Sequence, residues 1–369
     1  MNELKILFIL KRKEDYCEEH YNHLGLSTGL FNSATFVNDM LQEEKLDTKL
    51  VIVVDNNDID KEVTLYKPTH VIIEALWVVP SKFEVLQKLH PNVKWIIRLH
   101  SELPFIANEG MAMDWIGDYF KYKNVIIGVN STRMLEEITL YAHISTKISK
   151  RELEHKIVYL PNYYPPVFTH KHFNDKKEID ISCFGAIRPL KNHLVQAFAA
   201  IKLGNFINKK LRFHINMGRY EGKGEPIYRN LKDLFKHLPA DKFELVAHAW
   251  TPREEFLELC GTMDISMQCS LSETFNIVAC DSLVMGVPIV GSDEIPWLCD
   301  KYKASPTSSD KIADQLFRAY KFPRNNVIEN QRSLKSYVEK SKKNWLRFLT
   351  LQHYIICINQ NTSDSVFLI

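Results

Sequence analysis

Twice along this chain, short runs rich in Ile, Val and Leu alternate with longer amphipathic segments. In the first half the apolar runs are residues 4–10, 49–54, 70–74, 94–99 and 124–129, and helical periodicity fits residues 28–44, 81–89, 105–122 and 131–143. In the second half strands are expected at 179–184, 211–217, 243–247, 263–267 and 287–290. The helices between and after them fall at 194–203, 228–238, the stretch opening at Thr251-Pro252-Arg253-Glu254, the turns after Asn276, 309–320 and 326–349. Continuous apolar strands separated by helices imply parallel sheets covered on both faces, an α/β class. At 369 residues, two cores rather than one are expected.

Composition excludes several classes. Hydrophobic residues make up 45% and charged residues 25%, as in a soluble globular protein, and a net charge of +2 with pI near 8.0 gives no obligate polyanion binder. Seven Cys at 17, 183, 260, 269, 280, 299 and 357 form no CxxC pair and no metal-ligand spacing, so no metal site is expected. They read as reduced thiols of a cytoplasmic protein. The N-terminal apolar run is too short for a signal peptide and its charges follow it; no stretch reaches the ~18 to 20 apolar residues of a membrane span.

The most informative stretch is Ser272 to Gly291, which reads as loop, helix and buried strand. Thr274 and Asn276 are suited to cap the helix, Ile277, Val278, Cys280 and Val284 form its apolar face, and Gly286 stands where a C-terminal cap is wanted. Unpaired amides and about half a positive charge at such a helix start attract an anion. Two acids, Glu273 and Asp281, bracket it with seven residues between them.

This arrangement resembles the acid-x7-acid motif of retaining GT-B glycosyltransferases of the group 1 type, whose fold is two Rossmann-like domains facing across a cleft. The resemblance implies that Glu273 sits beside the donor sugar and Asp281 holds the ribose. Amides of the turn through Thr274, Phe275, Asn276 and Ile277 then meet sugar and diphosphate. Asp281 replaces the family's usual Glu and is shorter by one methylene. Gly185 and Lys191 keep the spacing of the family's Gly-Arg-Leu-x3-Lys pattern, with Ala186 at the Arg position and an Arg two residues later at 188. Lys191 and Arg188 would neutralise the departing diphosphate. His248-Ala249-Trp250 is similar to the segment that meets the nucleobase, although Trp250 serves a core equally well. Gly29, in Leu26-Ser27-Thr28-Gly29-Leu30, fits either a phosphate-approaching loop or an ordinary helix start.

After the strand ending at Leu99 comes His100-Ser101-Glu102. A His at this strand end suits proton handling at a hydroxyl, and relatives place one facing the donor sugar. Glu102 is a weaker acceptor-side candidate, and Asn130 to Arg133 is a helix cap. The loop Gly218 to Pro226 lacks the Gly-Lys-Ser/Thr ending of a phosphate-binding P-loop and reads as a flexible surface loop. Leu160-Pro161-Asn162 resembles the interdomain linker of this fold. The expected domains are 1–165 for the acceptor and 166–345 for the donor, with 346–369 returning to the first.

The expected activity is transfer of a hexosyl or pentosyl group from a UDP- or GDP-sugar, with retention and without a bound metal or other cofactor. The acceptor is open among glycans, small molecules and modified DNA. Alternatives are a viral-type enzyme glycosylating hydroxymethylated DNA bases in a host cytoplasm, a sugar-nucleotide epimerase of the same fold, and a non-catalytic nucleic-acid-binding protein. The last draws on Lys335, Lys340, Lys342, Lys343 and Arg347 in the terminal helix.

Overall fold

The computed structural model describes residues 4–12 and 28–364. Leu26 and Ser27 of the first glycine loop, and Cys17, lie outside the described residues, as does the side chain of Cys357. The chain forms two compact units, Met1–Pro165 with Val338–Ile369, and Pro166–Tyr337.

The first unit holds a six-stranded parallel sheet of β1 (Lys5–Lys11), β2 (Asp47–Val53), β3 (His70–Glu74), β4 (Lys94–Leu99), β5 (Val125–Val129) and β6 (Ile157–Tyr159). Its strand order is β2-β1-β3-β4-β5-β6. Successive side chains point to opposite faces, so Leu7, Ile9, Val71, Ile73, Trp95 and Ile97 build one core while Ile6, Phe8, Ile72 and Ile96 build another. The helices are α1 (Thr28–Glu43), α2 (Asp58–Tyr66), α3 (Lys82–Leu89), α4 (Leu103–Ile106), α5 (Ala112–Tyr119), α6 (Thr132–Thr146) and α7 (Lys150–Leu153). The single helix expected over 105–122 is two, α4 and α5. Asn108 Nδ2 bonds the carbonyls of Pro104 and Phe105 at 3.1 and 3.4 Å, satisfying the end of the first and stopping it. Helix α2 has no counterpart among the expected elements because it buries only Ile59 and Val63, too few to show a period.

The second unit holds β7 (Glu178–Cys183), β8 (Lys210–Asn216), β9 (Phe243–His248), β10 (Ile265–Gln268), β11 (Ile289–Ser292) and β12 (Lys303–Ala304), in the order β12-β11-β10-β7-β8-β9. Around them lie α8 (His193–Ile207), α9 (Gly224–Lys236), α10 (Arg253–Thr262), α11 (Ile277–Val284) and α12 (Ser309–Lys321). The chain winds outward one way from β7 through β8 to β9, and the other way from β10 through β11 to β12. The reversal therefore lies between β7 and β10, and ligands of open parallel sheets bind at the carboxyl ends beside such a reversal.

Helix α13 (Pro323–Asp364) begins three residues before the expected 326, with Pro323 in the position a first turn tolerates, and continues beyond 349. In the second unit Asn326 exchanges two 2.8 Å bonds with the backbone of Ile289. In the first unit Trp345 packs with Ile6 and Phe8 and donates to the Pro161 carbonyl at 2.8 Å. Of its expected cationic residues, Lys342 pairs with Glu44 and Lys335 lies over the Phe168 ring at 5.2 Å.

Candidate active site

The loops after β7 and β10 meet at the reversal in the second sheet. Gly185 adopts φ +117°, a conformation L side chains rarely take, and its amide donates to Asn216 Oδ1 at 2.8 Å. Ile187 then donates to the Arg219 carbonyl and accepts from the Glu221 amide, each at 3.0 Å. Gly224 passes so close that a Cβ there would lie 1.9 Å from the Ile187 carbonyl oxygen. The glycine-rich segment expected to be a flexible surface loop is instead pinned against the loop after β7. It supplies Glu221, which accepts from Arg188 at 3.2 Å and pairs with Arg219 at 2.6 Å.

A single 3-10 turn, Pro189–Lys191, brings Lys191 round to the loop after β10. The Leu271 amide donates to the Leu190 carbonyl at 2.8 Å, and Asn192 Nδ2 to the Cys269 carbonyl at 3.0 Å, so the two loops share a backbone frame. Within that frame the Lys191 ammonium donates to Glu273 Oε1, the two side chains being 12% and 9% exposed. Burial pushes the Glu273 carboxyl up. The Lys191 and Arg188 charges, with the hydrogen bond from Lys191, outweigh burial and leave it below the usual carboxylate range.

Asn276 caps α11: its Oδ1 accepts from the Ala279 amide at 2.9 Å, while its Nδ2 reaches Gln268 Oε1 at 3.0 Å and Glu273 Oε1 at 3.2 Å. The helix start and the acid beside it are thus held by one side chain. Asn276 alone takes the capping position; Thr274 is buried beside it. The Phe275 ring packs against Trp297 and Tyr337, and its carbonyl accepts from Trp297 Nε1 at 2.7 Å. The amides of Asn276 and Ile277 stand at the start of α11, where a helix leaves N–H groups without intrahelical partners.

Asp281 is buried on α11 and paired with Arg253 Nη1 at 2.9 Å. The sequence did not single out Arg253. His248 ends β9 and bonds His214, and the Arg219 guanidinium stacks on Trp250 at 5.1 Å from the ring centroid. Trp250 is only partly buried and is absent from the core.

In the first unit His100 bonds Glu74 Oε2 at the carboxyl end of the sheet. Glu74 is also held by Arg98 at 3.1 and 3.2 Å, and Arg98 reaches the carbonyls of Leu160 and Pro161 and Asn162 Oδ1. Burial and Arg98 lower the His100 pKa while Glu74 opposes them. Glu74 and Arg98 face each other in register across β3 and β4. The signal that could have found them is a charge inside each of two apolar strands. Glu102 is buried against Arg133 at 3.0 Å, Ser131 caps α6, and Gly29 lies in the first turn of α1 with open space where a Cβ would stand.

Among the described residues no group of three or more His, Cys, Asp or Glu side chains is arranged to hold a metal ion, and no helix is long and apolar enough to cross a membrane. No protein-family model and no curated protein matches the chain. A trehalose-6-phosphate synthase studied for glycosyltransfer with retention matches with TM-score 0.66 at 10% identity, over 94% of this chain and 99% of that one. HepE of Anabaena, solved with UDP-glucose, gives 0.58 at 9% identity over 96% and 99%. TarM of S. aureus, solved with fondaparinux, α-GlcNAc-glycerol and UDP, gives 0.56 at 15% identity over 76% of this chain, which spans 55% of TarM. With two six-stranded parallel sheets and this set of structural neighbours, the chain has the GT-B fold of the glycosyltransferases.

Proposed function

We propose that this protein transfers a sugar from a nucleotide diphosphate sugar to an acceptor, with retention and without a metal. One observation carries the proposal: Lys191 and Glu273 are joined at the reversal in the second sheet, in front of the capped start of α11. Glu273 takes sugar hydroxyls, while Lys191, Arg188 and the first-turn amides of α11 take the diphosphate. In the reaction the bond between the sugar's anomeric carbon and the phosphate oxygen breaks, and its electron pair leaves on the diphosphate. The acceptor oxygen bonds that carbon and loses its proton. Negative charge grows on the leaving oxygen, where both cations act most strongly.

Gly185 allows close backbone approach, and His248 and Trp250 serve the nucleoside. Arg253, held by Asp281, contributes to the ribose side; Asp281 is one methylene short of the family's Glu and is committed to this partner. We assign acceptor handling to the first unit, with His100, oriented by Glu74, as its proton-handling group. The UDP-bound and UDP-glucose-bound neighbours support a UDP-sugar ahead of a GDP-sugar. The reduced-thiol pattern supports action in the cytoplasm.

The test is a thermal-shift screen of UDP- and GDP-sugars, because a ligand that binds the native state raises the unfolding midpoint. Stabilising donors are then assayed alone and with glycans, small alcohols and hydroxymethylated DNA. Transfer that needs an acceptor is expected. Isomerisation of the donor alone would make the protein an epimerase, and salt-sensitive duplex binding without transfer would make it a nucleic-acid-binding protein.

A further inference from the structure

At the amino ends of β4, β5 and β6, the opposite end of the first sheet from His100, three lysines gather around one turn. The Val125 amide closes that turn onto the Tyr122 carbonyl at 3.3 Å. Lys156, the residue before β6, donates from its ammonium to the same carbonyl at 2.6 Å, and Lys123 is the next residue of the turn. Lys94 opens β4, and the amide of its neighbour Trp95 bonds the carbonyl of Asn124, the residue after Lys123, at 2.9 Å. Alternation puts Lys94 on the face of Ile96 and Lys156 on the face of Val158. Both of those line the core that holds Phe8, so the two lysine side chains leave the sheet on one side.

Lysines that open strands elsewhere carry a carboxylate. Lys5 on β1 pairs with Asp47 at 3.4 Å, and Lys210 on β8 with Glu244 at 2.9 Å. Among the described residues Lys94, Lys123 and Lys156 pair with no acid, although Lys94 and Lys156 are half-buried. Burial and the Lys94 charge push the Lys156 ammonium down to about 8, and burial and the Lys123 charge push Lys94 down, with no carboxylate opposing either. A cation taken out of water is ordinarily offset by an opposite charge, and here its neighbours are further cations.

We infer that the turn 122–124, with Lys94 and Lys156 beside it, is a binding site for a phosphate dianion, distinct from the donor site of the second unit. Each ammonium offers three N–H donors on a flexible stem, so three of them can close on the oxygens of one tetrahedral anion. Two negative charges also turn the mutual repulsion of the lysines into attraction. A nucleic acid would need a stripe of cations along its backbone, whereas the adjacent Lys121 is already paired with Asp118 at 2.6 Å.

The test labels the neutral amines of the full chain with limiting acetic anhydride near neutral pH and reads each lysine by peptide mass spectrometry. Inorganic phosphate at roughly 10 mM should slow labelling of Lys94, Lys123 and Lys156 together about fivefold or more, compared with chloride at equal ionic strength. Exposed Lys236 of the second unit should label equally in both. Equal rates for the three lysines in phosphate and chloride overturn the inference, as does slowing by duplex DNA but not by phosphate. Lys94→Met keeps the stem and removes a charge the fold leaves unpaired, and should cut the protection of Lys123 and Lys156 to below about twofold. Protection at full strength in that variant overturns a shared site. The reading is residue by residue, so phosphate held at Lys191 does not enter it and the donor reading stands or falls separately.

Discussion

Each unit buries a cation against a glutamate at the carboxyl end of its sheet, yet the two pairs are built differently. Arg98 and Glu74 are both 0% exposed, and the guanidinium meets Glu74, Leu160, Pro161 and Asn162 while stacking on Trp345 at 5.1 Å. Its donors sit in a rigid fork with acceptors around it, so it ties β4 to the 160–162 segment and, through Trp345, to α13. Lys191 and Glu273 keep 12% and 9% exposure, and the ammonium is a point charge on a flexible stem. A phosphate can draw Lys191 from its partner without opening a core. Full hydrogen bonding of a buried ion marks architecture, whereas partial exposure at a sheet's mouth marks a charge that can change partner.

The largest expected effect breaks the first pair. Arg98→Met leaves Glu74 buried without its cation, and should cost roughly 3–5 kcal/mol in urea unfolding. A cost below about 1 kcal/mol would erase the distinction drawn between the pairs. Next, Glu273→Gln keeps shape but removes the carboxylate; sugar transfer should fall about 10²–10³-fold, roughly 2.7–4 kcal/mol, with the protein still folded. Full turnover by that variant would remove Glu273 from the site. The same variant sharpens the comparison through pH. The folded Glu273 pKa is depressed, so its contribution to stability is present above the ordinary unfolded value near ~4.3 and is lost as pH falls through the folded value. Urea midpoints should therefore drop less between pH 6 and pH 3 in Glu273→Gln than in the unaltered protein.

Lys191→Ala should weaken nucleotide diphosphate binding about tenfold to hundredfold, roughly 1.4–2.8 kcal/mol, by calorimetry. Unchanged affinity would return Lys191 to a purely structural role. The smallest effect belongs to Trp345→Phe, which keeps a ring over Arg98 but loses the bond to the Pro161 carbonyl. About 1 kcal/mol of stability should go, and transfer should hold.

Much of the fold was legible because strands β3 and β4 are apolar on both faces and their bounds match the apolar runs at 70–74 and 94–99. Helix ends were less so: Asn108 stops α4 through its own side chain, a choice no apolar period announces. The stretch 272–291 marked Glu273 through local chemistry, and the spacing from Gly185 marked Lys191. Neither spacing showed that the two would touch, nor that Glu221 would hold Arg188 or Arg253 hold Asp281.

What the sequence determined by itself was periodicity, capping chemistry and the spacing of acids and glycines, because these depend on residues within a turn or a strand of one another. The tertiary structure decided partnership. Lys191 meets Glu273, and Asp180 meets His214, across 82 and 34 positions of chain, and only the order of strands in the second sheet closes those gaps. A buried charge takes its chemistry from what surrounds it in space, and that surrounding is set by the sheet as a whole.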